Sequence, residues 1–222
     1  MGHDVVLILP GGPGEVRHET PYGVVTGRPG VLFRDLKTDA RALIYAAKAS
    51  GARRVLASDV VQAISPLLEP GDLLVPADAV DQTRLRPATF FVGKGYGFIR
   101  LDPPFCPVLG QALYEAGRSV SARLFQRATY VCAEGPREAT PAELRMYRQW
   151  GADVVGTALL PEAYLAREFE LCYAALVSVG EADLRGVLEG AARAIPALTC
   201  TCGQAMAGPR AAGLIGEDWH TW

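Results

Sequence analysis

The stretch Gly135-Pro136-Arg137-Glu138-Ala139-Thr140 sets a carboxylate, Glu138, between the end of an apolar run and the start of a helix-forming one. Held in a pocket, such a group hydrogen-bonds a ligand N–H or works as a general acid or base. On the surface it is a solvated turn residue, and the two readings weigh evenly. A second carboxylate, Asp59, follows the apolar run 53–58. There it either bonds its own backbone in a turn or faces a ligand. Glu181 and Asp183, in Gly180-Glu181-Ala182-Asp183, touch a ligand or cap the next helix; capping is favoured, because acidic residues suit first turns. The glycine turn Gly11-Gly12-Pro13-Gly14 lacks the G-x-G-x-x-G spacing, and Pro13 removes an amide that an anion would use, so dinucleotide binding is a weak reading.

Five cysteines complete the reactive inventory. Cys106, Cys132 and Cys172 lie in apolar surroundings, where a free thiol acts as a small hydrophobe. Cys200-Thr201-Cys202 brings two thiols close in sequence. With only His3, His18 and His220 besides, no ligand spacing argues for structural zinc, and packed or redox-idle thiols with no metal are expected.

Positioning these groups falls to alternating elements. Strand-like runs at 4–10, 53–58, 71–80, 128–134, 152–156 and 172–180 alternate with helical patterns at 36–52, 107–119, 161–169 and 182–195. Pro107 suits the first turn of its helix, and Thr140-Pro141-Ala142-Glu143 has capping-box spacing. Alternation of this kind predicts an α/β layered fold with helices on both faces of a parallel or mixed sheet. Ligands of such sheets collect in the turns at the carboxyl ends of strands, here 11–15, 58–64, 135–140, 156–160 and 180–183. A length of 222 residues fits one domain, 1–222. Its formal charge of −2 offers no field for nucleic acid. No apolar run reaches membrane-spanning length and the start lacks a signal-peptide pattern, so a cytoplasmic location is expected. The tail, ending "DWHTW", frays or docks on a neighbour.

Several stretches carry a family likeness. "PGDLLVPADAVDQTRLRPATFF" (70–91), "DPPFCP" (102–107), "EGPREATPAELRMYRQWGADVVGTALLPEAYLARE" (134–168), the GG-x-G turn and the Cys-x-Cys pair together resemble the purine nucleoside phosphorylase family, in its 5′-methylthioadenosine phosphorylase branch. The resemblance implies a three-layer α/β/α sandwich with a mixed central sheet, of nucleoside phosphorylase type, and a homotrimer; the apolar-aromatic segment 87–99, if exposed, suits a subunit interface. It also implies attack of phosphate on C1′ of a nucleoside, with no cofactor beyond phosphate as co-substrate.

The site residues depart from the family pattern. Gly11 and Gly12 remain of the phosphate turn, but Pro13 replaces its hydroxyl. The family's Arg-His segment is missing, and Arg28 and Arg34 lie outside that motif. Counted back from Pro70-Gly71-Asp72, Ser58 retains a hydroxyl, Asp59 stands where another is expected, and Gln62 replaces a glycine. A carboxylate about 4 Å from a phosphate dianion costs a few kcal/mol even at an effective dielectric near 20. Thr157 takes the place of the family's ribose-facing methionine, Glu138 that of its stacking phenylalanine, and Ala139 that of its Glu or Ser. The adenine-reading turn falls on Glu181 and Asp183, and Phe98 falls where relatives reach a neighbour's sugar, though a core role suits it equally. Three outcomes are implied: glycosidic cleavage with a degenerate phosphate site, hydrolysis with Asp59 or Glu138 as base, or a non-catalytic role as a nucleoside binder or a subunit of a hetero-oligomer. Glu143 and Glu162 read as cap and dipole partners, and Arg86 as a buttress.

Overall fold

The computed structural model describes residues 4–35, 37–93, 99–195, 200–216 and 219. The run Val-Val-Leu-Ile-Leu-Pro forms β1 (Val5–Pro10), and its first five residues are buried, as expected of a strand covered on both faces. A meander follows, of β2 (Val16–Thr20), β3 (Gly23–Arg28) and β4 (Val31–Arg34), antiparallel until β4 lies parallel beside β1. Gly27 is obligatory there: a Cβ on it would stand 2.2 Å from the carbonyl oxygen of Val31.

Helix α1 (Ala40–Ala49) begins where Asp39 Oδ1 accepts the Arg41 N–H at 2.8 Å. The next strand, β5 (Arg54–Ala63), corrects the turn expected over 58–64. Apolar, β-branched Val60 and Val61 carry it onward, parallel to β9 (Cys172–Val179) as far as Val61. Its last two residues pair antiparallel with β8 (Val154–Gly156). Between these come β6 (Leu73–Asp81), α2 (Pro107–Arg118), β7 (Leu124–Cys132), α3 (Pro141–Gln149) and α4 (Leu159–Glu168). The capping box at Thr140 and Glu143 is formed in both directions. The chain ends in α5 (Arg185–Ala194), a short 3₁₀ turn (Cys202–Gln204) and α6 (Ala207–Ala211).

Among the described residues nine strands make one mixed sheet, ordered β2-β3-β4-β1-β5-β8-β7-β6-β9. Because β9 pairs with both β6 and β5, the last five curl into a closed ring. Helices α1 and α4 cover one face of the sheet, and α2 and α5 the other, giving the three layers. In the segment 87–99, expected to lie exposed at a subunit interface, residues 94–98 lie outside the described residues, and Val92 is exposed while two aromatics are not. Phe90 and Phe91 are buried, Phe90 stacking on Phe169 with centroids 4.0 Å apart and Phe91 on Trp219 at 5.5 Å. Trp219 thus docks on its own chain. Among the described residues no helix is long and apolar enough to cross a membrane.

Candidate active site

The closed ring converges on Asp59. Strand β5 holds this carboxylate 8% exposed, between Tyr130 on β7 and the turn after β8. Its Oδ2 accepts hydrogen bonds from the Tyr130 hydroxyl at 2.7 Å and the Thr157 N–H at 3.1 Å. The Tyr130 oxygen in turn accepts from the N–H groups of Ala158 (3.0 Å) and Leu159 (3.4 Å). Gly156 makes the approach possible, since a Cβ there would lie 2.2 Å from Asp59 Oδ2 and 2.7 Å from the Tyr130 oxygen. Burial pushes the Asp59 pKa above the usual carboxylate range, against the opposing pull of Arg34, Tyr130 and the two backbone amides. Burial and the adjacent Asp59 push Tyr130 well up, so its hydroxyl stays protonated and donates.

Beside this network lies a second buried pair. Arg34, at the end of β4, forms a bidentate bridge to Glu162, Nη2 to Oε2 at 2.8 Å, and donates through Nη1 to the Ser58 carbonyl at 2.9 Å. Glu162 also accepts from the Tyr173 hydroxyl at 2.7 Å. Its expected role as a dipole partner is therefore incomplete: the carboxylate sits in the first turn of α4 but is held inward by Arg34. Burial alone would weaken the charge on Arg34; the Glu162 carboxylate overrides it and raises the guanidinium pKa.

Arg86 fixes the far wall. It donates to the carbonyls of Thr157, Leu160 (3.1 Å) and Glu134 (2.6 Å), and pairs with Glu134 Oε1 at 3.0 Å. The Glu134 carboxyl is held low first by the Arg84 N–H, with Arg86 adding to it.

Around these groups opens a cleft of about 870 Å³, lined by Gly11, Arg34, Asp59, Arg86, Gly135 and Thr157 among others. A smaller cavity of about 260 Å³ shares Gly11 and Asp59 and adds Gly12, Ser58, Arg28 and Asp183. The structure therefore gathers Gly11, Gly12, Ser58, Asp59, Thr157 and Asp183 in two adjoining spaces. Asp183 nevertheless accepts the Arg185 N–H at 3.0 Å, at the start of α5. Glu138 and Glu181 are exposed and line neither space. Ala139 lines a separate cavity of about 460 Å³ beside Tyr147, its N–H donating to Gln62 Oε1 at 3.2 Å. The two expected acid–base groups, Asp59 and Glu138, do not converge. Phe98 lies outside the described residues. Another cavity of about 850 Å³ lies against Phe105, Cys106 and Gln111.

Tyr130 and Gly156 carry this site but were not singled out in sequence, where Arg34 and Glu162 were named only separately and not as a pair. A glycine inside an otherwise β-branched strand is the one local signal, marking a close approach. The cysteines need correction too. Cys106, Cys172, Cys200 and Cys202 are not separate packed thiols: their four Sγ atoms lie within 4.8 Å of one another. Cys132 stands apart, its Sγ donating to the Leu160 carbonyl at 3.4 Å, and burial pushes its thiol up to about 12.

Residues 35–199 match the family described as the phosphorylase superfamily. A protein of Moorella thermoacetica named as a probable 6-oxopurine nucleoside phosphorylase is 37% identical over 183 residues, covering 74% of this chain and 70% of that protein. An S-methyl-5′-thioadenosine phosphorylase of Thermofilum pendens is 35% identical, covering 67% of this chain and 56% of its own length. The chain thus spans about half to seven tenths of these relatives. Among solved structures, the methylthioadenosine phosphorylase of Schistosoma mansoni in complex with tubercidin superposes with a TM-score of 0.80 over 95% of this chain and 97% of that one, at 23% identity. A methylthioadenosine phosphorylase from an Antarctic soil metagenomic library gives 0.70 at 29% identity, covering 98% and 90%.

Proposed function

The chain belongs to the phosphorylase superfamily, and from that premise we propose that it cleaves the N-glycosidic bond of a purine nucleoside in the cleft at Asp59. One observation carries the proposal. Gly11, Asp59 and Thr157, the positions that the family likeness assigns to phosphate and sugar, line a single cleft although they are far apart in sequence. The substrate class is that of the relatives, a 6-oxopurine nucleoside or a 5′-methylthio nucleoside. On this reading Thr157 faces the sugar, and Asp183, which lines the adjoining cavity, is the carboxylate left for the base. A cytoplasmic homotrimer is inferred from the same likeness.

Charge at the site supports water as the nucleophile. The corner beside the sugar holds two carboxylates, Asp59 and Glu162, against one guanidinium, Arg34, which Glu162 already neutralises. A phosphate dianion would meet net negative charge there, at a cost of a few kcal/mol near 4 Å for an effective dielectric about 20. Water meets no such barrier. Its oxygen bonds to C1′ while the C1′–N bond breaks, Asp59 takes the proton, and the base leaves with the bonding electrons and is protonated by solvent. Burial raises the Asp59 pKa, which makes its carboxylate a stronger proton acceptor than an exposed aspartate.

One observation favours phosphorolysis instead: Arg28 stands with Gly11 and Gly12 around the smaller cavity, a cation beside the family's phosphate turn. Substitution separates the assigned base from the exposed carboxylate. Asp59→Asn is expected to lower base release by about 10²-fold or more, as for loss of a general base, and Glu138→Gln to leave it near wild type. Equal loss in both, or full activity in Asp59→Asn, would remove Asp59 from the mechanism.

A further inference from the structure

The four clustered thiols come from three separate parts of the fold. Cys106 is the N-cap of α2, Cys172 opens β9, and Cys200 and Cys202 belong to the C-terminal segment. We propose that Cys106, Cys172, Cys200 and Cys202 bind one structural zinc ion, which fastens the C-terminal segment to the sheet.

The arrangement is that of a ligand set. Four sulfurs at about 2.3 Å from a tetrahedral zinc stand about 3.8 Å from each other. Here all four lie within 4.8 Å, and Cys172 and Cys200 approach to 3.2 Å. All four sulfurs are mutual neighbours, where two disulfides would need two separate close pairs. Three of the four residues are buried, and Cys200, partly exposed, leaves an entry path. The chemistry of the set, four soft sulfur donors with no carboxylate, selects a thiophilic ion over calcium or magnesium.

Arg167 supplies the independent observation. This arginine is 9% exposed, and among the described residues it has no carboxylate partner. Its Nη1 points at Cys202 Sγ, 3.7 Å away, and its Nη2 donates to the Pro103 carbonyl at 2.7 Å. A buried guanidinium needs a counter-charge. Neutral thiols or disulfides provide none, whereas four thiolates around one divalent ion leave the cluster anionic. The same group acts as an outer hydrogen-bonding partner to the ligating sulfur, as such shells commonly do.

What the ion would secure is plain from the packing downstream. Met206 is fully buried, its N–H donates to Glu170 at 2.9 Å, and Arg210 makes a bidentate bridge to the same carboxylate. All of this follows directly on Cys202.

The test is elemental analysis of the full chain, purified under reducing conditions without chelator, with mass spectrometry of the unreduced protein. About one zinc per chain is expected, retained in Cys132→Ser and lost in Cys202→Ser. Should Cys202→Ser fail to fold, Cys200→Ser at the partly exposed position gives the same readout. Replacement by cobalt(II) should give the absorption of a tetrahedral thiolate complex. Removal of zinc should open the C-terminal segment to protease and lower Tm. Metal-free, folded protein with four titratable thiols overturns the proposal, as does a mass showing disulfides among the four. Iron in place of zinc upholds the four-thiolate site and overturns the choice of ion.

Discussion

Replacing Tyr130 by phenylalanine removes one oxygen from the centre of the site and leaves its ring in place. That oxygen donates to Asp59 at 2.7 Å and accepts from the amides of Ala158 and Leu159. Tyr130 is fully buried, so no water takes over without rearrangement. A hydrogen bond to a charged, buried group contributes about 1.5–3 kcal/mol, so Tyr130→Phe is expected to cost about 2 kcal/mol. For a chain of this size that lowers Tm by about 4–8 °C.

The effect has a signed pH dependence. Folded Asp59 already holds its proton to higher pH than an unfolded aspartate, and losing the Tyr130 donor raises its pKa further. Its contribution favours the fold in acid and is lost as pH rises through the folded pKa, so the deficit of the variant should be larger at neutral pH than in acid. Activity that needs ionised Asp59 falls as pH drops through the same pKa. The acidic limb of the pH–rate profile should therefore move up by about one pH unit, equivalent to about 1.4 kcal/mol. Thermal melts across pH, paired with initial rates across pH, measure both. An unchanged Tm would refute the network. A lowered Tm with an unmoved acidic limb would detach Asp59 from the chemistry.

Gly156→Ala sets a Cβ against Asp59 and Tyr130 and should destabilise by about 1–3 kcal/mol, read in urea melts; a neutral result would mean that the turn yields freely. Arg34→Met strands the Glu162 charge and should cost about 3–5 kcal/mol, with the double change to Met at both positions recovering much of it; a double-mutant cycle by denaturation checks this. Glu168 accepts hydrogen bonds from Thr89 and the Phe90 N–H, and burial raises its pKa to about 7 from 4.5. Because the folded pKa is the higher, stability falls as pH climbs from about 4.5 to 7, and Glu168→Gln should flatten that slope in Tm.

The layered fold was legible where local chemistry repeats the global plan. Pro107 opens α2, the Thr140–Glu143 box opens α3, and the run of β9, apolar but for Ser178, matches its burial on both faces. The meander β2–β4 was not legible. Its strands are short and mixed in exposure, and its first turn, Pro21-Tyr22, lacks the Asn-Gly or Asp-Gly signal of a tight hairpin. Asp59 was found by its distance from Pro70-Gly71-Asp72. Its clamp by Tyr130, 71 residues away, depends on how the ring of strands closes. Glu138 shows the converse: a family position fixed by motif, but occupied by a residue that turns to solvent. Cysteine spacing fails for the same physical reason, since the four thiols meet through tertiary contacts between the start of α2, the start of β9 and the C-terminal segment.

The most direct measurement is release of free base from a panel of 6-oxopurine and 5′-methylthio nucleosides, with and without inorganic phosphate. Cleavage at a rate independent of phosphate, yielding free sugar, is the predicted result. Strictly phosphate-dependent release would keep the glycosidic chemistry and contradict water as the nucleophile. No release from any nucleoside by protein shown to be folded would contradict the central claim that this cleft breaks the N-glycosidic bond.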